Sequence, residues 1–191
     1  MKKKSAIGFL SLALLSFSNA TLAEAPIVAE ESLRSSLEHG RASKIVTYVL
    51  GNYHYEKTLL NDKLSEKILD QYIKMLDPQR THFLKTDIDS FSLHKHLVDD
   101  YLKKPDLDPM FNIFKTFRKR LENRISFSLS QLDNTFEFKS DESLIIDRSE
   151  ENWATNVVQL NNIWRKKVKN DVLSLRLAGK GPDEIKSKLQ T

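Results

Sequence analysis

Along most of this chain apolar residues return every three or four positions, the period of one face of an α-helix. Ile45, Val46, Val49, Leu50 and Tyr53 mark a first helix, with Ser43 placed to cap its start. Leu64, Ile68, Leu69, Tyr72, Ile73 and Leu76 form the stripe of a second over about 62–76, and Asp77-Pro78 stops it, because proline disfavours helix in the residue before it. A third starts at Thr86 or Asp87, turns Ile88, Phe91, Val98 and Leu102 inward and ends before Pro105. The fourth runs from Asp108 as N-cap and Pro109 as first helical residue through Phe111, Phe114, Phe117, Leu121, Ile125, Leu129 and Leu132. At 1.5 Å per residue it is about 36 Å long. A polar stretch follows over 133–156, with a short extended piece expected around Leu144-Ile145-Ile146. The fifth helix spans about 157–178 on Leu160, Ile163, Trp164, Val168, Val172 and Leu175, with Gly179 as its left-handed stop. Pro182-Asp183-Glu184 opens one more, with acids at the positive end of its dipole.

The pattern predicts an all-α fold, an irregular bundle of about five helices whose last helix is cut short. Its inward residues Ile185 and Leu189 would then need a partner surface. Five Gly and five Pro in 191 residues agree with long helices rather than a turn-rich β architecture. Residues 24–40, with Pro26, Ser32, Ser35, Ser36 and Gly40, read as a loosely held arm, and 41–191 as the helical domain.

The first residues have a different pattern. Lys2, Lys3 and Lys4 precede an apolar run from Ala6 to Phe17, and Thr21-Leu22-Ala23 puts small residues where a signal peptidase reads. This is a secretory signal peptide, 1–23, with cleavage expected after Ala23, or next after Ala25; the alternative is a membrane-tethered N-terminus. The apolar run is short for a permanent bilayer span, and no other segment approaches that length. The expected location is the periplasm.

Charge changes meaning once the leader is set aside. The formal +4 of the whole chain becomes +1 after Ala23, or +2 after Ala25, because the leader holds three lysines and no acid. Net charge therefore gives no argument for nucleic acid, and export argues against it. Lys115, Arg118, Lys119, Arg120 and Arg124 crowd the fourth helix, and Arg165, Lys166, Lys167 and Lys169 the fifth. They read as a solvated face, with docking of an acidic partner or another domain as the alternative.

Candidate chemistry is sparse. Without cysteine there is no disulfide, thiolate zinc site or thiol nucleophile. His94 and His96 fall about 200° apart on a helix and cannot share a metal; His96 and Asp100 share a face but do not complete a site. His39, His54 and His82 are isolated in sequence. There is no Gly-x-Ser-x-Gly elbow or phosphate loop. Ser43-Lys44 and Ser187-Lys188 are neighbours at positions that read as exposed, and the pairs Asp99-Asp100 and Glu150-Glu151 read as solvated. Trp153, Trp164, Tyr48, Tyr53 and Tyr72 read as packing residues. No catalytic residue, metal or cofactor is implied.

Order and spacing carry a resemblance. Tyr53-His54-Tyr55, then Ser65-Glu66-Lys67-Ile68-Leu69-Asp70-Gln71-Tyr72-Ile73-Lys74-Met75-Leu76-Asp77, then the run from Phe83 to Phe91, resemble the N-terminal domain of the tail-specific protease, the periplasmic carboxyl-terminal processing protease family. So do Asp147-Arg148, Trp153, the run from Leu160 to Lys169 and that from Leu173 to Lys180, so that the resemblance covers about 40–190. It implies a secreted serine endopeptidase that acts on proteins with an apolar C-terminus and joins this helical domain to a PDZ domain and a catalytic Ser/Lys region. No catalytic residue of the family maps onto this sequence, so the chain alone is expected to be inactive. The partners implied are the PDZ and protease domains, protein substrates and a helical-repeat lipoprotein adaptor. The alternative is a stand-alone exported helical binding or adaptor module.

Overall fold

The structure is a computed structural model that describes residues 30–53 and 59–190. The expected signal peptide with its cleavage points at Ala23 and Ala25, the start of the arm with Pro26, and His54 and Tyr55 lie outside the described residues. Seven α-helices are present among them, α1 Leu37–Asn52, α2 Asp62–Leu76, α3 Lys85–Phe91, α4 Val98–Lys103, α5 Asp108–Gln131, α6 Val157–Leu177 and α7 Pro182–Gln190, with 3₁₀ turns at Glu30–Ser32 and Ser92–His94. The all-α irregular bundle is as expected, with seven helices rather than about five.

Where a helix end is set by adjacent residues, the expected bounds hold. α2 starts after Asn61, whose side chain accepts from the Leu64 N–H, and stops at Asp77. α6 starts after Asn156, which caps the Gln159 N–H, and Gly179 follows its end at φ +77°, a conformation that glycine adopts without steric cost.

Three expectations are corrected. α1 begins at Leu37, capped by Ser36 with a reciprocal bond to His39, so residues 37–40 are helix and Ser43 is not a cap. Ser43 is instead buried inside α1 and donates to the Leu102 carbonyl at 2.7 Å. The expected third helix is broken into α3, a 3₁₀ turn and α4; the chain reverses there so that Phe91 and Val98 reach one core, which a straight rod would not allow. Asp108 is the first residue of α5 rather than its cap, and its carboxylate accepts from the Ser35 N–H at 2.7 Å. Around Leu144–Ile146 the described chain forms no strand; a single parallel bridge, Leu84 with Ala154, lies elsewhere.

Burial is organised in three clusters. The largest joins Leu69 and Ile73 of α2, Phe83, Phe91, Val98 and Ile113 of α5, with Tyr72, Phe117 and Trp153 against them. Leu84, Ala154 and Leu160 form a second with Ile163 and Trp164. In the third, Val168 and Val172 of α6 cover Ile185 of α7, with Leu132, Phe136, Phe138 and Leu189 alongside. The partner surface sought for Ile185 and Leu189 is thus supplied by the same chain.

At the junction of the first two clusters lies Asp77, 1% exposed. Its carboxylate accepts from the backbone N–H groups of Thr81 (2.8 Å), His82 (3.1 Å) and Phe83 (3.1 Å), from the Trp153 indole (3.2 Å), and lies 3.1 Å from His82 Nδ1. Burial works to raise its pKa, but the bonds from His82 and the loop amides outweigh it and hold the carboxyl below the usual carboxylate range. One side chain thereby shapes the loop 77–84. Arg80, at φ +51°, closes the turn by stacking on the Trp153 ring and donating to the Glu151 carbonyl at 2.6 Å.

Candidate docking surfaces

Ser43 is buried and bonded to Leu102, so Ser43-Lys44 is not an exposed pair. Ser187 lies on the outer side of α7, and Ser187-Lys188 remains a pair of chain neighbours on an exposed turn. A serine, a carboxylate and a lysine do meet where the sequence did not indicate it. Ser65 donates to Asp99 Oδ1 at 2.6 Å, and Lys103 reaches Asp99 Oδ2 at 2.6 Å. Asp99 is buried, contrary to the solvated reading, and Lys103 and then Ser65 hold its carboxyl below the usual range. Ser65 is fully enclosed and accepts from the Asp99 N–H, so it ties α2 to α4 and no substrate reaches it. Asp100 and Glu151 are half-buried, Glu150 exposed.

The histidines are placed as structural groups. His39 belongs to the α1 cap and packs on Phe111, His82 faces Asp77, Phe117 and Trp164, and His94 meets the Tyr101 hydroxyl at 2.8 Å. His82 is therefore not isolated in space. His96 is exposed just before α4. Among the described residues no group of three His, Asp or Glu side chains is arranged to hold a metal.

The basic clusters are corrected too. Arg120 makes a two-pronged pair with Asp87 at 2.9 and 2.9 Å, Arg118 pairs with Glu122, and Arg124 is buried with one bond to Asn161 at 2.6 Å. Burial, then the charge of Arg120, lowers the Arg124 pKa. On α6, Arg165 and Lys169 both grip Glu142, Lys166 holds the Ser143 carbonyl at 2.9 Å, and Lys167 lies over the Trp164 ring. These side chains brace the fold rather than forming a free basic dock, while Lys119 stays exposed and Lys115 half-buried on α5. The grip on Glu142, through Arg165 first and Lys169 next, lowers its carboxyl to about 2. A depressed folded pKa contributes stability above the ordinary value of 4.5, lost as pH falls through the folded value. We expect the segment 140–143 to come off α6 between those two pH values, read as faster amide exchange there, while Glu142→Gln exchanges faster already at pH 7.

Besides a polar cleft between 131–143 and α6, the surface has apolar parts. α2, α4 and α5 leave a groove of about 480 Å³ lined by Ile68, Tyr72, Val98, Leu102, Met110 and Phe114. Tyr72 closes one side by donating to the Met110 carbonyl at 3.2 Å. Beside it, α1 faces the body with Gly40 and Ser43; a Cβ added at Gly40 would stand 3.0 Å from Pro105 Cβ. Small residues let the helix lie close, and its larger apolar residues point away. Ile45 (64% exposed), Val46 (51%), Val49 (46%) and Tyr53 (71%), which mark this helix in the sequence, are outside, and so is Tyr48; the two tyrosines, read as packing residues, are therefore not core. The centre of this stripe lies roughly 140° around the helix from the Gly40–Ser43–Thr47 face. That small-residue series was the signal available in the sequence.

With the helices and their exposed faces defined, comparison becomes specific. The family profile described as the tail specific protease N-terminal domain matches residues 46–191. The chain belongs to this family. It is also similar to the tail-specific protease of Haemophilus influenzae, 35% identical over 165 residues, which is 86% of this chain and 23% of that relative. The chain thus spans about a quarter of the length of a tail-specific protease that it matches. The match includes α2 to α7 and the C-terminal part of α1 from Val46 onward, so the Asp77 hub, the groove and, apart from Ile45, the α1 stripe lie within the tail-specific protease N-terminal domain. Among the described residues, no helix is long and apolar enough to cross a membrane.

Proposed function

We propose that this chain is the non-catalytic N-terminal helical domain of an exported, periplasmic carboxyl-terminal processing serine endopeptidase. In that role it is part of the scaffold that encloses protein substrates and a surface on which substrate or a lipoprotein adaptor docks. The observation that carries the reading is the family match over 46–191 in a chain that covers only 23% of its relative. The geometry supports it, since the Ser–Asp–Lys meeting at Ser65 is sealed and the apolar surfaces are open. Domain bounds of 1–23 for a cleaved leader, ending at Ala23, belong to the same reading, with the helical domain expected at 41–191 extended back to the start of α1 at Leu37.

Incubated with a protein bearing an apolar C-terminal tail, the chain is expected to leave that protein uncut over hours, as followed by mass spectrometry. Specific trimming from the tail by the pure chain would overturn the non-catalytic role.

A further inference from the structure

An amphipathic helix ordinarily buries its large apolar residues and shows solvent its small and polar ones. In α1 this is reversed. Gly40 and Ser43 are buried against Pro105 and Leu102, while Ile45, Val46, Val49 and Tyr53 form a continuous outward stripe. With Ala42, also exposed, the stripe runs for three turns without a charged residue along its centre; Arg41 lies on its flank, and Lys44 is exposed on the far side of the helix from it. Burial of such side chains is the main source of stability in a fold, so leaving four of them in water on one short helix forgoes a large favourable term.

We propose that the α1 stripe Ile45–Val46–Val49–Tyr53 is the face on which the remaining part of the same polypeptide docks in a full-length tail-specific protease. The inference rests on the reading of the chain as the N-terminal domain of that enzyme. The size of the stripe selects this occupant over a second copy of the chain. At their observed exposures these residues offer roughly 400 Å² per side, so a symmetric pair would bury about two-thirds of the 1,200 Å² that a stable interface between separate proteins needs. A covalently attached domain meets no such threshold, because tethering holds it at an effective concentration of the order of millimolar. The matched relative provides such a domain, since 23% of it corresponds to this chain and the rest lies outside. Intra-chain and obligate interfaces are also apolar at their centres, as this stripe is.

The absence of cysteine makes the test direct. Val49→Cys and Lys44→Cys are introduced singly, and maleimide labelling of residue 49 or 44 is timed by peptide mass spectrometry in two proteins. One is the 191-residue chain; the other is the chain joined to the remaining part of the Haemophilus influenzae relative in place of its matching segment. The cysteine at 49 is expected to label at least tenfold more slowly in the joined protein, while that at 44 changes less than twofold. Equal labelling at 49 in both proteins would overturn the inference. So would protection in the short chain that grows with its concentration, which marks a second copy. Peptidase activity of the joined protein on an apolar-tailed substrate reports separately on the protease reading: protection without activity keeps the docking face and counts against that reading, and activity without protection does the reverse.

Discussion

Replacing Asp77 by alanine is expected to cost the fold about 4 kcal/mol. The carboxylate is the shared acceptor of three loop amides and the Trp153 indole and lies beside His82 Nδ1, at 1% exposure. Each buried donor left without a partner costs about 1–3 kcal/mol, and the loop relaxes enough to recover part of it. Against a typical total of about 5–15 kcal/mol, that is a large fraction. Asp77→Asn keeps the shape but turns an N–H₂ toward N–H donors, so it should lose nearly as much. Urea unfolding followed by Trp153 and Trp164 fluorescence measures both. Because the native carboxyl is held below its ordinary range, its contribution is present at neutral pH and is lost as acid titrates it through its folded value. The Asn variant should therefore show a shallower fall in stability with acid than the parent chain. A loss under about 1 kcal/mol in both variants would refute the keystone role assigned to Asp77.

Phe83→Ala is expected to cost a similar amount, about 3–5 kcal/mol, by a different mechanism. Phe83 is 0% exposed and edges onto Phe91 and Phe117, with ring centroids 5.1 and 5.9 Å apart. Its removal opens a ring-sized void among side chains from α2, α3, α4 and α5, which cannot close without shifting several helices. Phe83→Leu retains most of the volume and should lose only about 1–2 kcal/mol. The contrast separates the two mechanisms, since an enclosed ring responds to volume and the Asp77 hub to hydrogen-bond acceptance. Equal losses for Phe83→Ala and Phe83→Leu in urea would show that the void is not what matters.

The two sites differ in how far they could be read from the sequence. Phe83 is one of several apolar residues that any core would take, and its loop gives no period to place it. Asp77 reads as a helix stop beside Pro78, which it is. That it also collects amides four to six residues ahead and an indole 76 residues away depends on a loop path that neighbouring residues do not dictate. The basic clusters failed to read for a related reason. A run of Lys and Arg on a helix is the same in sequence whether it meets water or Glu142, and Glu142 lies 23 residues from Arg165 in a segment without helical period. Arg124 is the sharpest instance. It takes the buried place in the later half of α5 while Ile125 is half exposed, because α6 presents Asn161 to it there.

Local chemistry in the chain was enough for the all-α class, for both ends of α2 and α6, and for the start of α7. Caps, prolines and Gly179 act on the residues next to them, so their effect is legible without a partner. The order of these segments was enough for the family. For α2 and α6 the periodic stripe is also the buried face, but for α1 tertiary structure alone decided which face is inward. In α1 the periodic stripe was seen, but close approach to Leu102 and Pro105 is possible only on the Gly40–Ser43 side, and that contact turns the stripe outward. It likewise broke the expected third helix so that Phe91 and Val98 could share one core, and supplied Ile185 with a cover from α6. A period records that a helix has two faces; what lies against each is set by residues far away in the chain, and that is where this domain's docking surface came from.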